Sequence, residues 1–280
     1  MRQTLCPLVG GGAYDPKTMP YVVFGTPSYD EYVNAAFALV EAFPDYGVLG
    51  GLDCTISKGG PGWIKVEETL DKAGIKHHTE WFPPGTTDFA PFITRFAEKG
   101  CKVVMVAGWV GEYMMFLKQR YEMGYKDMKV FCSGPFVSLD MYKAVCGVDA
   151  FEGAIGYYYA PWEFKKTKVN PKHIEQCREA LQLASQKTGK PYEYTGEIHW
   201  VPTHFSILVQ AMQKAGTVDD PDAIMKAIRG GTFDTPVGKW TMSGEKTYGS
   251  PIVFGNPGCL CIIKGGKEVY LSEHPMEPLP

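Results

Sequence analysis

The hydrophobic pattern of the chain alternates between short continuous apolar runs and longer segments whose apolar residues recur at helical spacing. Residues 86–109 contain one full alternation, in which TTDFAPFITRFAEKG precedes KVVMVAG and then Trp109. With Thr87 or Asp88 as N-cap, one helical face carries four apolar residues, Phe89, Phe92, Ile93 and Phe96. The pattern predicts an amphipathic helix and then a buried strand that ends at Gly108.

The same alternation extends between residues 20 and 158. Strand-like runs such as YVVFGT, YGVLGGLDC, IKHHTEWF and KVFCSG are separated by amphipathic segments of helical length. Continuous apolar strands between helices are typical of right-handed βαβ units, whose parallel sheet is covered on both faces. The pattern therefore predicts an α/β fold.

The second half of the chain contains three further helical patterns and a different tail. The helices are predicted over 171–189, 200–216 and 220–231, the last with Asp220 as N-cap and Pro221 in its first turn. From residue 235 onward the pattern indicates short strands and turns, and IIKGGKEVY is a hairpin signal.

Composition and charge exclude several classes of protein. Apolar residues make up 45% of the chain and aromatic residues 13%, as in folded proteins rather than disordered ones. The net charge is −3 and no basic block occurs, which argues against nucleic acid as a partner. No apolar run approaches the roughly 20 residues of a membrane span.

The N-terminal segment MRQTLCPLVGGG contains no apolar core of a secretory signal. We therefore expect either a cytosolic protein or one whose targeting segment has been removed or is missing. The chain has eight cysteines and no CxxC motif. Because disulfide frameworks belong to small loop-rich chains, we expect mainly buried free thiols, with disulfides or a metal or redox role as alternatives.

Catalytic and metal signatures are mostly missing from the sequence. It contains no GxSxG, Walker A or HExxH motif, and LVGGGAY and SKGGPG are interpreted as loops. His77 and His78 are adjacent on a predicted strand and point to opposite faces, and His199 and His204 are five apart, so both pairs are poor metal sites. We expect no cofactor, and the remaining enzymatic alternative is a nucleophile in the loop of Cys54 and Lys58.

Conspicuous aromatic residues follow the predicted strands. They are Trp109 with Tyr113 one turn later, Phe136 after KVFCSG, and the run Tyr157–Tyr158–Tyr159. Ligands of open α/β sheets bind beyond the carboxyl ends of the strands, and aromatics in loops expose apolar area unless something covers them. The pattern favours a ligand-binding cleft, and the alternative is that each ring packs under a neighbouring loop.

Several stretches together resemble one family. They are GGAYDPKTMPYVVFGTPS, GTTDFAPFITRFAEKGCKVVMVAGW, MFLKQRYEMGYKDMKVFCSGP, FEGAIGYYY and MQKAGTVDDPDAIMKAIRGGTFDTPVGKWTMSGEKTYG. In this order the chain resembles solute-binding proteins of ABC transporters with the type I periplasmic binding fold, in the branched-chain amino acid (Leu/Ile/Val) group. The resemblance implies two doubly wound, Rossmann-like lobes joined by crossover strands, with hinge closure around a ligand in an interlobe cleft. It places lobe 1 at 1–26 and 157–245, and lobe 2 at 27–156 and 246–280.

The resemblance also implies a ligand site. The family's small-residue turn that holds a ligand carboxylate falls on Gly12, Ala13 and Tyr14, and its lobe 2 aromatic falls on Trp109. Phe136 stands where amino-acid binders place an acid for the ligand ammonium, which favours an aromatic or apolar carboxylate or amide. The complete predicted set of ligand contacts is Gly12, Ala13, Tyr14, Lys58, Trp109, Tyr113, Phe136, Tyr157 and Tyr158.

The family's first lobe 1 strands normally precede the Gly12 region and are absent here, so lobe 1 is expected to be incomplete. A truncated chain, a mis-assigned start or a shortened protein that dimerises to cover lobe 1 would each explain this. The expected function is that of an extracytoplasmic solute-binding protein, not an enzyme, whose partners are a small molecule and the membrane permease of an ABC importer. The alternative is a cytosolic sensor of small amides or amino acids, or a receptor module, with the same fold.

Overall fold

The protein is described by a computed structural model, which describes residues 6–7, 17–23, 28–55, 61–108, 110–132, 139–158, 170–192, 200–236, 238–245 and 249–276. The chain divides into two compact units. Unit 1 comprises Met1–Asp30, Tyr159–Pro257 and Pro275–Pro280, and unit 2 comprises Glu31–Tyr158 and Gly258–His274. The lobe boundaries expected after residues 26, 156 and 245 remain a prediction. Val253–Gly255 pair with a strand of unit 1.

The strands of the described residues are β1 Cys6–Pro7, β2 Val22–Val23, β3 Leu49–Cys54, β4 His77–Phe82, β5 Val103–Ala107, β6 Lys129–Cys132, β7 Ala154–Tyr158, β8 Thr232–Thr235, β9 Gly238–Ser243, β10 Val253–Lys264 and β11 Lys267–Met276. The helices are α1 Ser28–Ala42, α2 Pro61–Lys72, α3 Ala90–Glu98, α4 Val110–Glu122, α5 Leu139–Cys146, α6 Val148–Phe151, α7 Pro171–Thr188, α8 Trp200–Ala215 and α9 Pro221–Ile228. No described helix combines the length and the apolarity that a membrane crossing requires.

Unit 2 is built on a sheet with strand order β4-β3-β5-β6-β7-β10, and β11 pairs with β10. The strands from β4 to β7 are parallel to their neighbours, whereas β10 runs antiparallel to β7. The predicted parallel α/β sheet is therefore confirmed. The predicted hairpin is also present, because Gly265 and Gly266 join β10 to β11 with φ of 59° and 69°, a turn that suits glycine.

The core of unit 2 is rich in phenylalanine. The rings of Phe89 and Phe116 lie 6.1 Å apart and those of Phe96 and Phe116 6.4 Å apart, both edge to face, and all three side chains are fully buried. Gly50 of β3 allows this packing, because a Cβ there would lie 2.9 Å from Val104 Cγ2 and 3.1 Å from the Phe96 ring. The helical face predicted for α3 is thus the face that meets the sheet.

The start of α3 differs from the prediction. The helix begins at Ala90, its N-cap is Phe89 without a side-chain bond, and Asp88 instead accepts a hydrogen bond from the Ala90 amide over 3.0 Å. Pro91 in the first turn has no amide hydrogen to donate, so a side-chain cap at Asp88 has one donor fewer to satisfy.

Unit 1 packs α8 and α9 against β2, β8, β9 and Ile252, the residue before β10. Its core is mostly aliphatic and sulfur-containing, and its members are Val23, Ile207, Ala211, Ile224, Met225, Ile228, Phe233, Trp240, Met242 and Ile252. The predicted cap of α9 is confirmed, since Asp220 accepts from the amides of Asp222 and Ala223, both over 3.0 Å. Along β8, the Gln210 side chain of α8 donates to Asp234 O over 2.7 Å and accepts from Asp234 N over 3.2 Å.

Candidate functional site

The carboxyl ends of the parallel strands of unit 2 meet at one edge of the sheet. In register, Asp53 of β3 lies beside Trp81 of β4 and Ala107 of β5, and β6 and β7 continue the same order. The chain leaves this edge toward Lys58 after β3, Trp109 after β5 and Phe136 after β6. The topology therefore places at one edge the strand ends that precede three predicted ligand contacts, while the contacts themselves lie outside the described residues.

Most of the predicted contacts themselves cannot be placed. Gly12, Ala13, Tyr14, Lys58, Trp109 and Phe136 lie outside the described residues. For Tyr157 and Tyr158 only the backbone is described; it pairs with Leu260 and Cys259 at the carboxyl end of β7. These residues remain predictions.

Tyr113 lies behind the sheet edge rather than on it. Its side chain is fully buried in unit 2, and its hydroxyl donates toward Val130 O over 3.0 Å and Ile155 O over 3.4 Å. Burial raises the pKa of the Tyr113 hydroxyl well above its usual value. The expectation of a ligand contact at Tyr113 finds no support here, because this position of α4 shares the buried helix face with Phe116 and Leu117.

Two further side chains of α4 bind the backbone of neighbouring segments, and sequence reasoning missed both. The Gln119 amide accepts from Phe89 N over 2.6 Å and donates to Thr87 O over 2.7 Å. Arg120 is fully buried, and burial lowers the pKa of its guanidinium from the usual value. The only sequence signal was an arginine next to a run of buried apolar residues.

The Arg120 guanidinium is bonded to backbone carbonyls. Its Nη2 donates to Ala150 O over 2.8 Å and to Glu152 O over 2.9 Å, and its Nη1 donates to Met128 O and, over 3.5 Å, to Lys126 O. These carbonyls belong to the chain before β6 and to the end of α6. Arg120 therefore fastens the C-terminal part of α4 to both.

Asp53 is a buried carboxylate at the same sheet edge, with 6% of its surface exposed. Its Oδ1 accepts a hydrogen bond from the amide of Cys54 over 2.7 Å. Next to it, the Thr55 amide donates to Phe82 O over 2.8 Å and joins the ends of β3 and β4. The sequence singled out the loop that begins here but not the burial of the acid.

Six cysteines whose side chains are described lie outside any disulfide, as expected. They are Cys54, Cys101, Cys132, Cys146, Cys177 and Cys261, and all but Cys54 are buried. Burial raises the pKa of the Cys101 and Cys146 thiols to about 11. Within the described ranges, no group of three or more metal-ligating side chains is found.

His77, His78 and His204 each contact a neighbouring group. His77 Nδ1 donates to Ile75 O over 3.1 Å, and His78 Nε2 lies 3.0 Å from Glu80 Oε1. Glu80 in turn accepts from Arg95 Nε over 2.8 Å and from Arg95 Nη2 over 3.0 Å. His204 packs edge to face on Trp240, and His199 lies outside the described residues.

Comparison with known proteins identifies the class to which this fold belongs. The sequence model of the periplasmic binding protein family matches residues 3–251, which is most of the chain. The chain therefore belongs to the periplasmic binding protein family, with the type I fold of its branched-chain amino acid binders. This is a family of solute-binding proteins.

Individual relatives share less than a third of their aligned residues with this chain. A leucine-, isoleucine-, valine-, threonine- and alanine-binding protein of Pseudomonas aeruginosa is 28% identical over 62% of this chain and 43% of its own length. The chain spans less than half the length of the curated relatives it matches.

Solved structures show the same fold at low identity. A solute-binding protein of an ABC transporter from Rhodopseudomonas palustris HaA2, in complex with p-hydroxybenzoic acid, gives a TM-score of 0.68 at 17% identity, covering 94% of this chain and 69% of its own. The branched-chain amino acid binding protein LivJ of Streptococcus pneumoniae, in complex with isoleucine, gives 0.66 at 14% identity with the same coverage.

Proposed function

We propose that the protein is an extracytoplasmic solute-binding component of an ABC importer that takes up a small carboxylate or amide. The observation that carries this proposal is the family match over residues 3–251. Binding would occur by hinge closure between the two units, without any bond being made or broken in the ligand. The partner that receives the ligand would be the membrane permease of the importer.

An aromatic or apolar ligand is favoured over an α-amino acid. Relatives of both kinds exist, since one similar structure holds p-hydroxybenzoic acid and another isoleucine. Phe136 occupies the position at which, by resemblance, amino-acid binders carry an acid. An ammonium group would then be buried without that counter-ion, which is costly, whereas an aromatic ring can stack on Trp109 and Phe136.

The predicted contacts form two groups, one for each end of the ligand. By resemblance, the Gly12–Ala13–Tyr14 turn would hold a carboxylate or amide through backbone amides. Trp109, Phe136, Tyr157 and Tyr158 would surround the ring with apolar area and phenolic hydroxyls, and Lys58 would add a cation at the same edge. The division rests on the resemblance, and its support from the structure is limited to the strands that precede the aromatic contacts, since β5, β6 and β7 are parallel neighbours in the unit 2 sheet.

A thermal-shift and calorimetric ligand panel tests the proposal. Benzoate, 4-hydroxybenzoate and benzamide are compared with leucine, isoleucine and valine, and a ligand at 100 times its Kd should stabilise the protein by about 2.7 kcal/mol. We expect stabilisation by an aromatic acid or amide and not by the amino acids. Stabilisation by the amino acids alone would show that the argument from Phe136 is wrong.

The Trp109→Ala variant distinguishes between two roles of Trp109, a ligand contact and a core residue. The substitution should leave the melting profile of the unliganded protein nearly unchanged and weaken binding by at least about tenfold, as expected for an aromatic anchor. Loss of the folded state of unit 2 would instead assign Trp109 to the core.

The lack of disulfides among six cysteines favours a second candidate, a cytosolic sensor with the same fold. The six cysteines whose side chains are described lie outside any disulfide, as is usual in a reducing compartment. Cell fractionation with an antibody to the native protein decides between the two candidates. Recovery in the extracytoplasmic fraction supports the importer component, and recovery with cytosolic markers supports the sensor.

A further inference from the structure

The sheet of unit 2 ends at strand β4, whose outer side pairs with no other strand of the described sheet. On its inner side, the Leu49 amide donates to Lys76 O over 2.9 Å and the Thr55 amide donates to Phe82 O over 2.8 Å. Backbone groups of successive residues in a strand point to opposite sides, so the even-numbered residues of β4 bond to β3. The residues that direct their backbone N–H and C=O groups to the outer side are therefore His77, Thr79 and Trp81.

Strand β4 carries none of the sequence features that keep an edge strand from pairing with another chain. Soluble proteins protect such edges with lysine, proline, a bulge or a covering segment. The six residues of β4, HHTEWF, include neither lysine nor proline, and their register with β3 is continuous. The edge strand of unit 1 differs, because Gln210 and Lys214 of α8 bind the outer backbone of β8. The sequence of β4 is thus compatible with the addition of a strand.

The sequence of β4 is complementary to itself in the antiparallel direction. When two copies are aligned about Thr79, His78 of each copy stands opposite Glu80 of the other. The same register sets Thr79 against Thr79 and His77 against Trp81. Opposite-charge, threonine and aromatic pairs stabilise antiparallel strands, whereas like charges directly opposite destabilise them. Alignment about Glu80 would place two carboxylates opposite each other, so the register about Thr79 is favoured.

The register about Thr79 also suits the backbone groups of the outer side. An antiparallel pair alternates between opposed residues that exchange two N–H···O bonds and opposed residues that exchange none. Alignment about Thr79 makes hydrogen-bonded pairs of the three outward residues and leaves His78 and Glu80 in the closer pairs without backbone bonds. Within one chain, His78 Nε2 already lies 3.0 Å from Glu80 Oε1, so these two side chains can bond each other.

Side-chain contacts hold β4 in its extended form before a second strand arrives. Glu80 accepts from Arg95 Nε over 2.8 Å and from Arg95 Nη2 over 3.0 Å, which ties β4 to α3. The His78 ring packs edge to face on Phe96, with the ring centres 5.9 Å apart. A binding surface that is already ordered loses less conformational entropy on association.

We propose that the outer edge of β4 is a self-association surface, at which two copies of the chain pair in antiparallel register about Thr79. The two unit 2 sheets then form one continuous sheet across a twofold axis. The occupant is a second copy of the chain because the strand supplies complementary partners to its own sequence. The surface belongs to unit 2 alone, and the pairing is independent of the proposed ligand.

Sedimentation velocity and hydrogen exchange of the full chain test the proposal without any substitution. Between low and high micromolar concentration, we expect the sedimentation coefficient to shift from that of a monomer to that of a dimer. Over the same range, the amides of His77, Thr79 and Trp81 should gain protection from exchange, because they donate to the second copy. Peptides from β8 should exchange at the same rate at both concentrations and serve as the internal control.

A pair of proline substitutions separates strand pairing from general destabilisation. Thr79→Pro removes an N–H that points away from β3, a position at which edge strands tolerate proline. Each dimer loses two hydrogen bonds at its axis, so association should weaken by at least about tenfold. The matched control, Asp234→Pro, removes an N–H from the outer side of β8 and should lower the melting temperature without changing association.

A wild-type chain that sediments as a monomer at every concentration would overturn the proposal. So would a dimer whose β4 amides gain no protection, since that result would place the contact on another surface. A Thr79→Pro variant that folds and still associates like the wild type would contradict it as well. If Thr79→Pro does not fold, the concentration dependence of exchange in the wild type decides alone.

Discussion

The interiors of the two units are stabilised by different kinds of contact. Unit 2 has a parallel sheet with fully buried phenylalanine rings, and three side chains of α4 bind backbone groups of neighbouring segments. In unit 1 the core is mostly aliphatic and sulfur-containing with two aromatic rings, and Leu183 and Phe205 are each 65% exposed. Fully buried aromatic rings and long-range bonds from side chains to backbone are thus features of the unit 2 interior.

The comparison also shows two uses of the same side chain. Gln119 in unit 2 and Gln210 in unit 1 each accept from one backbone amide and donate to a carbonyl. Gln119 binds the amide of the buried residue Phe89 just before α3, whereas Gln210 binds the backbone of the exposed residue Asp234 on β8. The same chemistry therefore stabilises a core in one unit and a surface in the other.

The largest expected difference between the units is in the free energy of unfolding lost when one phenylalanine ring is removed from each. Phe96→Ala in unit 2 should lower the free energy of unfolding by about 3–5 kcal/mol, because it leaves a cavity beneath α3. Phe205→Ala in unit 1 should change it by less than about 0.5 kcal/mol, because the ring is mostly exposed. Hydrogen exchange in increasing urea, followed on peptides from each unit, measures both values. Equal losses would mean that Phe205 is packed more firmly than its exposure indicates.

The two glutamines provide a smaller and better matched test. Gln119→Ala should destabilise unit 2 by about 1–3 kcal/mol, because the buried amide of Phe89 loses its acceptor. Gln210→Ala should destabilise unit 1 by no more than about 1 kcal/mol, since water can replace the lost bonds at Asp234. The same exchange measurement applies, read on peptides that contain Phe89 and Asp234. A larger loss for Gln210→Ala would reverse the contrast between the units.

The smallest effect concerns the ion pair of Glu80 in unit 2. Hydrogen bonds from Arg95 hold the pKa of the Glu80 carboxyl below its usual value. A depressed carboxyl pKa contributes stability above the pKa of the unfolded chain, and this contribution is lost as the pH falls through the folded pKa. The melting temperatures of the wild type and Glu80→Gln should therefore differ most at neutral pH and converge in acid, below the usual carboxyl range. Arg95 is partly exposed, so the difference should be small and should shrink in high salt.

Local patterns in the sequence predict much of the fold. The α3–β5 alternation, the Asp220 cap and the Gly265–Gly266 turn each depend on residues close together in the chain, and each is found in the structure. The start of α3 was placed too early because a capping residue was available before Pro91, although the proline removes a donor. The first residue of a helix depends on which of several local hydrogen bonds forms, and the pattern of apolar residues does not indicate which one is favoured.

The long-range polar contacts could not be predicted. Arg120 binds carbonyls at Ala150 and Glu152, about thirty residues away, and no spacing rule connects them. Tyr113 shows the opposite error, since its spacing from Trp109 indicated a shared surface and helix packing turned it to the core. Of the candidate site, the sequence indicated the sheet edge through strand order, but not which aromatic side chains face inward.

The two hydrogen bonds between the Gln210 side chain and the Asp234 backbone affect how the edge strand β8 can pair with another chain. Strand β8 is the last in its row beside β9, so one side of its backbone has no strand partner within the described sheet. Side chains of α8 occupy that side, because Gln210 takes both the amide and the carbonyl of Asp234 and Lys214 donates to Thr232 O over 2.7 Å. A foreign strand would have to displace these bonds before it could pair. Helix α8, which contributes to the core of unit 1, therefore also hinders another strand from pairing with the β8 edge.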